Sequence, residues 1–568
     1  MTAPPPTGES ALQQRIARLE FAFGDLDDPG NPLGTRQFLA ADAAGRILPA
    51  ADRLAGEFGL GAEVVPAALG GRFTRLDAFV RVLRVVFRRD AALGLSRGMT
   101  ALQAAAAVWA GGDERQRGDV AALLLSGGRL ACAYPAPDGG NAFLSNQLAV
   151  VPGPGGRRLL SGRKEALNNA GEAGALLLFA ADEAGRTSAF LVDGEVFGAE
   201  GAPARLLPRR VTSGVRGCVV RGVEFRDLPL EPDALVGAEG DGRLLADRAF
   251  PVLRAAGPAM ALGSADTALR TTVAFARAHR ARSRVSLRTP RTRAVLVGAF
   301  ADLLMCDCLA LAAARAAHLL PGHSQVLAAA VKYLLPTVLT DALYDLSSVL
   351  GSEAHSDHGG HGAFRKSARD LPMIGLGGGG SAASRRELVR HLTRDPALRA
   401  PAAGCAPPEL FTPFDDRLPP LAPAALSARD PGDPLVAALD TDALPDHPEI
   451  AAPARELAAE LAGLRDAAAT VLPPGAGERG LRAHALVDRY ALLAAGAAAL
   501  SVWRHAGPDA GFLGDPAWAA VVLHRLAVRL GAAPEGDPGP GAERLLDELL
   551  HRFDDARSYD LYATAVGR

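Results

Sequence analysis

The feature that most constrains this chain is a change of sequence pattern between residues 130 and 237. Before it, apolar residues recur at three- and four-residue spacing, as they do in amphipathic helices. Within it, short apolar runs alternate with glycine, proline and acidic turns, which is typical of strands. Longer helical patterns return afterwards. This order predicts a mainly α protein with a small β-domain between two helical layers, and a cleft where they meet.

The same patterns divide the 568 residues into five parts. Prolines crowd together around residues 398–434, which indicates a linker and not a packed element. We therefore expect an N-terminal helical domain at 1–129, a middle β-domain at 130–238, a four-helix bundle at 239–397, the linker at 398–434 and an additional helical domain at 435–568.

Composition excludes some classes of function. With 61 basic and 63 acidic residues the net charge is −2, so we expect no nucleic-acid partner. The five cysteines are odd in number and scattered, which favours a reducing cytoplasm over a disulfide framework. The first eight residues lack the pattern of a signal peptide. The apolar stretch at 303–320 carries Asp307, Arg315 and His318, so we expect a buried helix there and no membrane insertion.

Two polar clusters stand out before the C-terminal addition. Glycines run from Gly377 through Gly378 and Gly379 to Gly380, ahead of a predicted helix, and their free N–H groups would suit an anion, although a turn without a ligand explains them as well. Glu353 and His355 begin a loop that also holds His358 and His361, and acid–base work, metal binding and a solvated loop are all compatible with it. We expect no metal site.

Cysteine, lysine and arginine on the predicted bundle helices each have more than one possible role. Cys306 and Cys308 point to different faces of one helix, which indicates core positions. Lys332 lies in the middle of a helix, where a buried lysine is either catalytic or paired. Arg254 belongs either to a polar cluster at the cleft or to a structural salt bridge.

Several segments, taken in order, resemble motifs of the acyl-CoA dehydrogenase family. The resemblance covers roughly residues 16–392 and rests on VPAALGG at 65–71, GGDERQR at 111–117, SGRK at 161–164, SGVRG at 213–217, VEFRDLPL at 223–230, VGAEGDG at 236–242 and ARD at 368–370. It implies an acyl-CoA dehydrogenase-like fold: a helical domain, a β-barrel domain and a long-helix bundle, here with a C-terminal helical extension.

The resemblance also implies a base that takes a proton from the carbon next to a thioester. The family's usual glutamate would fall at about Gly378, within MIGLGGGGS at 373–381, and no acid is present there. The alternative position of the base, directly before a characteristic arginine, is Leu253 ahead of Arg254. A general base contributes roughly 10²–10⁴-fold to such a reaction, so a divergent active site is expected.

The family's flavin contacts are altered as well. Its threonine-containing loop corresponds to residues 134–141, with Tyr134, Gly139, Gly140 and Asn141 as candidate FAD contacts. The family's stacking tryptophan is replaced by Ala166 and its flavin-bonding threonine by Asn168. Further candidate cofactor contacts are Arg282, which resembles an arginine that reaches a neighbouring subunit's flavin, and the glycines Gly377, Gly378 and Gly379.

The resemblance thus implies an FAD-dependent oxidoreductase acting on CH–CH groups of an acyl thioester, bound to coenzyme A or an acyl carrier protein, in a homodimer or homotetramer. Glu353, His355 or Arg254 would then supply the catalytic groups. The alternative is a non-redox protein of the same fold without FAD, which binds an acyl thioester, scaffolds a partner or catalyses a non-oxidative reaction. The role of residues 435–568 is open.

Overall fold

The structure is a computed structural model. It describes residues 8–134, 146–197, 201–278, 287–357, 361–376, 380–394, 406–471, 481–533 and 541–567. All statements below concern these ranges.

The N-terminal part is helical, as predicted. Its helices are α1 (Gly8–Phe23), α2 (Thr35–Ala43), α3 (Pro49–Glu57), α4 (Leu76–Arg89), α5 (Ala91–Gly94), α6 (Thr100–Gly111) and α7 (Glu114–Leu125). Residues 35–58 form two helices and not one. Gly45 takes a left-handed φ of 64° just beyond α2, and Pro49 then starts α3. Glycine and proline are the residues that favour a helix end and a helix start.

The middle part is one eight-stranded sheet. Its strands are β1 (Leu130–Ala133), β2 (Asn146–Pro152), β3 (Arg158–Asn168), β4 (Ala175–Ala181), β5 (Thr187–Asp193), β6 (Ala204–Arg209), β7 (Val220–Leu230) and β8 (Leu235–Val236). The order across the sheet is β6-β7-β3-β2-β4-β5-β8, and β1 pairs with β4 in parallel. The edge formed by β1 and the end of β3 faces the helices, because Asn168 and Tyr134 both bond to α6.

The long-helix bundle follows the sheet. It contains α8 (Gly242–Ala278), α9 (Pro290–Leu319), α10 (Ser324–Leu350), α11 (Gly362–Ile374) and α12 (Gly380–Arg394). Cys306 and Cys308 are fully buried in α9, as expected. In the part described, three helical stretches are long and apolar enough to cross a membrane, namely Pro290–Leu319, Pro321–His355 and Arg482–Ala506. Their most apolar windows are 89%, 78% and 78% buried inside the fold, so protein covers most of that surface.

The C-terminal addition contains α13 (Ala451–Val471), α14 (Leu481–Ala506), α15 (Pro516–Leu530) and α16 (Ala542–Asp554), which pack on α9, α10 and α12. The expectation that the proline-rich segment is unpacked is wrong for residues 406–434. Leu410 and Leu426 are fully buried, and Arg315 donates to the backbone carbonyls of Pro413 and Asp415. Buried apolar anchors and an arginine that satisfies free carbonyls hold this segment on α9. The mainly α fold class with a small β-domain is confirmed.

A close crossing of α4 and α8 sets the distance between the first helical part and the bundle. Gly263 of α8 lies at this crossing, and a Cβ added to it would stand 2.4 Å from the carbonyl oxygen of Arg84. We expect Gly263→Ala to lower the free energy of unfolding by about 1–3 kcal/mol, because backbone atoms must move apart. Gly56→Ala in α3 is the control, since no atom lies within 4 Å of its Cβ position. Equal urea midpoints for the two variants would contradict this packing.

Candidate functional site

The candidate site lies where β1, β3, α6 and α8 meet. The ring of Tyr134 stacks on Phe179 with centroids 4.7 Å apart and lies 5.4 Å from Phe250 of α8. Its hydroxyl donates to the backbone oxygen of Gln103 at 3.0 Å. Burial raises the pKa of Tyr134 well above its usual value, so the phenol stays neutral. Tyr134 therefore forms a neutral aromatic wall between the sheet and the bundle.

Asn168 lies at the end of β3 and contacts α6 one turn away from the Tyr134 bond. Its Nδ2 donates to Thr100 Oγ1 at 2.9 Å, whereas its Oδ1 is buried and has no hydrogen-bond partner. The neighbouring Asn169 is fully satisfied, because its amide bonds to Ser96 and to the carbonyl of Leu130. A buried polar atom without a partner carries a free-energy cost that a ligand would remove.

These residues fit a flavin at one point of contact. Asn168 offers an unused acceptor where the resemblance implies a flavin bond. Ala166 offers no ring to stack on the flavin. The Tyr134 hydroxyl is already engaged by α6. Of the other candidate contacts, Gly139, Gly140, Asn141, Arg282, Gly377, Gly378 and Gly379 lie outside the described residues.

Arg254 lies on the same face of α8 as Phe250, one turn further on. Its side chain is 6% exposed, and its guanidinium carbon stands 4.7 Å from the centre of the Phe250 ring. Its Nε has no hydrogen-bond partner, and none of the described residues forms an ion pair with it. Burial lowers the pKa of Arg254 to about 10, against the opposing attraction of the carboxylates of Glu387 and Asp247. Arg254 is thus a buried cation without a direct counterion.

Glu387 cannot serve as that counterion, because other arginines already hold it. It contacts Arg429 and lies 3.8 Å from Arg390. Among the described residues, Arg254 therefore forms no salt bridge, which was one of the two alternatives for it.

Lys332 of α10 is a second buried cation at this junction. It is 3% exposed, and its Nζ donates to the backbone oxygen of Ile374, at the end of α11, at 2.6 Å. Burial, followed by the positive charge of Arg254, lowers the pKa of Lys332 to about 7. No described carboxylate pairs with it. The ε-amine therefore changes its charge near neutral pH.

A proline follows each of the two cations by four residues. Pro258 cannot donate to the carbonyl of Arg254, and Pro336 cannot donate to that of Lys332. The hydroxyl of Ser381 instead reaches the Lys332 carbonyl at 3.4 Å. Each helix therefore lacks one backbone hydrogen bond at the turn that follows the charged side chain, although it continues beyond the proline. In the sequence, this arrangement is visible as an arginine or a lysine with a proline four residues later.

Of the two positions expected for a base, the structure describes one, Leu253. Leu253 is 1% exposed and apolar, so that position holds no carboxylate. The other, at Gly378, lies outside the described residues.

Glu353 and His355 lie far from Arg254 and Lys332. Both are exposed on a short turn beyond the end of α10. Leu350 ends that helix 18 residues after Lys332, which is about 27 Å at 1.5 Å per residue. Glu353 instead accepts a bond from His361 at 3.2 Å, and His358 lies outside the described residues. The structure therefore brings Tyr134, Asn168 and Arg254 to one junction and leaves Glu353 and His355 outside it.

Comparisons with known proteins agree with this geometry. Residues 240–393 match the family "Acyl-CoA dehydrogenase, C-terminal domain". No curated protein matches the sequence. The acyl-CoA dehydrogenase of Bacillus anthracis, solved in complex with FAD, has a TM-score of 0.71 at 14% identity, covering 96% of this chain and 95% of its own.

Two further solved structures match about two thirds of the chain. Butyryl-CoA dehydrogenase from Megasphaera elsdenii has a TM-score of 0.59 at 19% identity, covering 67% of this chain and 98% of its own. The prolyl acyl carrier protein oxidase AnaB has a TM-score of 0.57 at 16% identity, covering 67% and 99%. The chain therefore has the acyl-CoA dehydrogenase fold, and its residues 240–393 match the C-terminal domain of that family.

Proposed function

We propose that this protein is a flavin-dependent oxidoreductase that acts on an acyl thioester carried by coenzyme A or by an acyl carrier protein. The observation that carries the proposal is the buried, unpartnered Oδ1 of Asn168 at the junction of sheet and bundle. Structural neighbours of this fold include a protein solved with FAD and an oxidase named for a carrier-bound substrate.

FAD, when bound, would supply the two-electron oxidation of the acyl group. The chain's own residues would hold the flavin and shape the site. Asn168 would hold the polar edge of the flavin ring with its free amide oxygen. Tyr134, neutral and stacked between Phe179 and Phe250, closes the wall of the site against water. Exclusion of water strengthens each polar contact inside the site.

The proposal is tested by adding FAD to the purified protein, desalting it and recording the visible absorption spectrum. We expect the two absorption bands of oxidised flavin to remain at near-stoichiometric occupancy. Asn168→Leu should lower the retained flavin. Gln147→Leu is the matched control, because that amide is exposed on β2 of the same sheet. A spectrum without flavin bands after FAD addition would overturn the proposal.

A second candidate function is a non-redox protein that binds an acyl thioester on the same fold. It is favoured by Leu253, an apolar residue at one of the two expected positions of the base. The absorption spectrum separates the two candidates, because only the first requires flavin. A colourless protein that still binds an acyl thioester in calorimetry would establish the second.

A further inference from the structure

Arg254 and Lys332 form a buried cation pair that lacks an anion. Other buried arginines of this protein are compensated: Arg84 has Asp307, and Arg315 has Asp77 at 3.1 Å. Arg254 and Lys332 are as deeply buried as these. No described carboxylate lies within ion-pair distance of either. The pair therefore departs from the way this chain compensates its other buried charges.

An uncompensated buried charge is costly. Removing an ion from water costs several kcal/mol even after relaxation, unless a partner of opposite charge is supplied. The lowered pKa values of both groups reflect that cost. Lys332 loses part of its charge near neutral pH, whereas Arg254 keeps its charge. An anion placed between them would relieve both, because the described carboxylates Glu387 and Asp247 attract Arg254 without forming an ion pair with it.

The position of the pair connects it to the candidate flavin site. The Arg254 guanidinium lies over Phe250, and Phe250 packs against Tyr134 of the flavin-site wall. Lys332 donates to the backbone oxygen of Ile374, at the end of α11. The pair therefore lies on the bundle side of the junction, next to the candidate flavin site.

We propose that the acyl group of the substrate carries a carboxylate and that Arg254 and Lys332 bind it. This inference rests on the proposed function, since it names the substrate class of the same site. A planar carboxylate matches the two parallel N–H groups of a guanidinium. The single negative charge of the carboxylate matches the single full positive charge of the pair, which is on Arg254, because Lys332 is partly neutral near pH 7. Arg254 then binds the carboxylate, and Lys332 adds a second, pH-dependent contact.

The charged groups around the pair come from several elements. Glu387 and Arg386 approach Arg254 from α12, Asp247 from the start of α8, and Arg429 from the proline-rich segment. On the next residue of α10, Tyr333 is bound to Asp488 of α14. Glu387 is held by Arg429 and Arg390, so these neighbours leave the carboxylate position open.

The test is binding of small probes to the full-length protein, measured by isothermal titration calorimetry. The probes are the monomethyl esters of malonate, succinate, glutarate and adipate, each compared with its neutral dimethyl ester. We expect at least one monoester to bind and its dimethyl ester not to bind. In Arg254→Gln the affinity should fall roughly 10- to 100-fold, as for loss of a charge-assisted hydrogen bond. Lys332→Met should weaken binding less.

Controls make each outcome informative. Arg226→Gln removes an exposed arginine from β7 and should leave the affinity unchanged. Equal binding of mono- and dimethyl esters, absence of monoester binding, or unchanged affinity in Arg254→Gln would overturn the proposal. Inorganic phosphate that binds as well as the best monoester would assign the pair to a phosphate of the thioester carrier and would also overturn it. Circular dichroism checks that both variants are folded.

The result is independent of the flavin experiment. Calorimetry requires neither flavin nor turnover, and the absorption spectrum of the same sample reports bound FAD. A protein that holds flavin but fails to bind any monoester contradicts only the carboxylate site. A protein without flavin that binds a monoester contradicts only the redox function.

Discussion

Replacing Asp307 by asparagine is expected to lower the free energy of unfolding by about 3–5 kcal/mol. Asp307 is 1% exposed, accepts two bonds from the Arg84 guanidinium and accepts the backbone N–H of Leu561 at 2.9 Å. These contacts join α9 to α4 and to the C-terminal residues. An asparagine keeps the shape but leaves the charge of Arg84 without its main partner.

The measurement is urea unfolding of Asp307→Asn beside Asp119→Asn. The control makes the same chemical change in an ion pair whose two side chains are 53% and 60% exposed. Exposed pairs contribute about 0–1 kcal/mol. We also expect faster proteolysis near residues 557–567 in Asp307→Asn, because a neutral amide oxygen accepts the Leu561 N–H more weakly than a carboxylate does. Equal midpoints for the two variants would show that the buried pair does not hold the C-terminus.

Lys332→Met is expected to remove a rise of stability with pH. The folded-state pKa of Lys332 is lowered to about 7 from 10.5, so between these values the unfolded chain binds a proton that the folded chain does not. Stability contributed by this group therefore increases as pH rises through that window. At about 1.4 kcal/mol per pKa unit, wild type should gain about 2 kcal/mol relative to Lys332→Met between pH 7 and 9.

Lys366 is the contrasting buried lysine. It donates to Asp90 at 2.8 Å and contacts Asp370, and these carboxylates raise its pKa against the effect of burial. Lys366→Met should therefore be destabilised at pH 7, since two carboxylates lose their partner. Lys332→Met should be as stable as wild type or more stable at that pH. Urea unfolding at pH 7 and 9 checks both variants, and a pH-independent difference for Lys332→Met would contradict the buried-cation description.

α8, α9 and α10 could be predicted from the sequence, because most of their buried residues are apolar, chiefly alanine and leucine at helical spacing. α11 was missed because two of its buried positions are Lys366 and Asp370, a salt-bridged pair that interrupts the apolar period. β3 was missed for a related reason, since it mixes Arg163, Lys164 and Glu165 with apolar residues.

The candidate site was predicted in part. Tyr134, Asn168 and Arg254 were found through the family resemblance, because aligned motifs carry position along the chain. Glu353 and His355 were chosen for their chemistry, and α10 carries them away from Arg254. The chemical type of a side chain does not tell how far it lies from another residue. A helix of 27 residues spans about 40 Å, so residues at its two ends are far apart.

The sequence by itself determined the order of helices, sheet and bundle, because the period of apolar residues is a local property. It also showed that no carboxylate stands at the two expected positions of the base. The pairing of buried charges follows from the folded structure. Arg84 and Arg254 look alike in the sequence, yet Arg84 meets Asp307 on another helix, whereas Arg254 lies over the ring of Phe250 and has no ion-pair partner among the described residues. Charge pairing depends on contacts between distant parts of the chain, and only the folded structure brings those parts together.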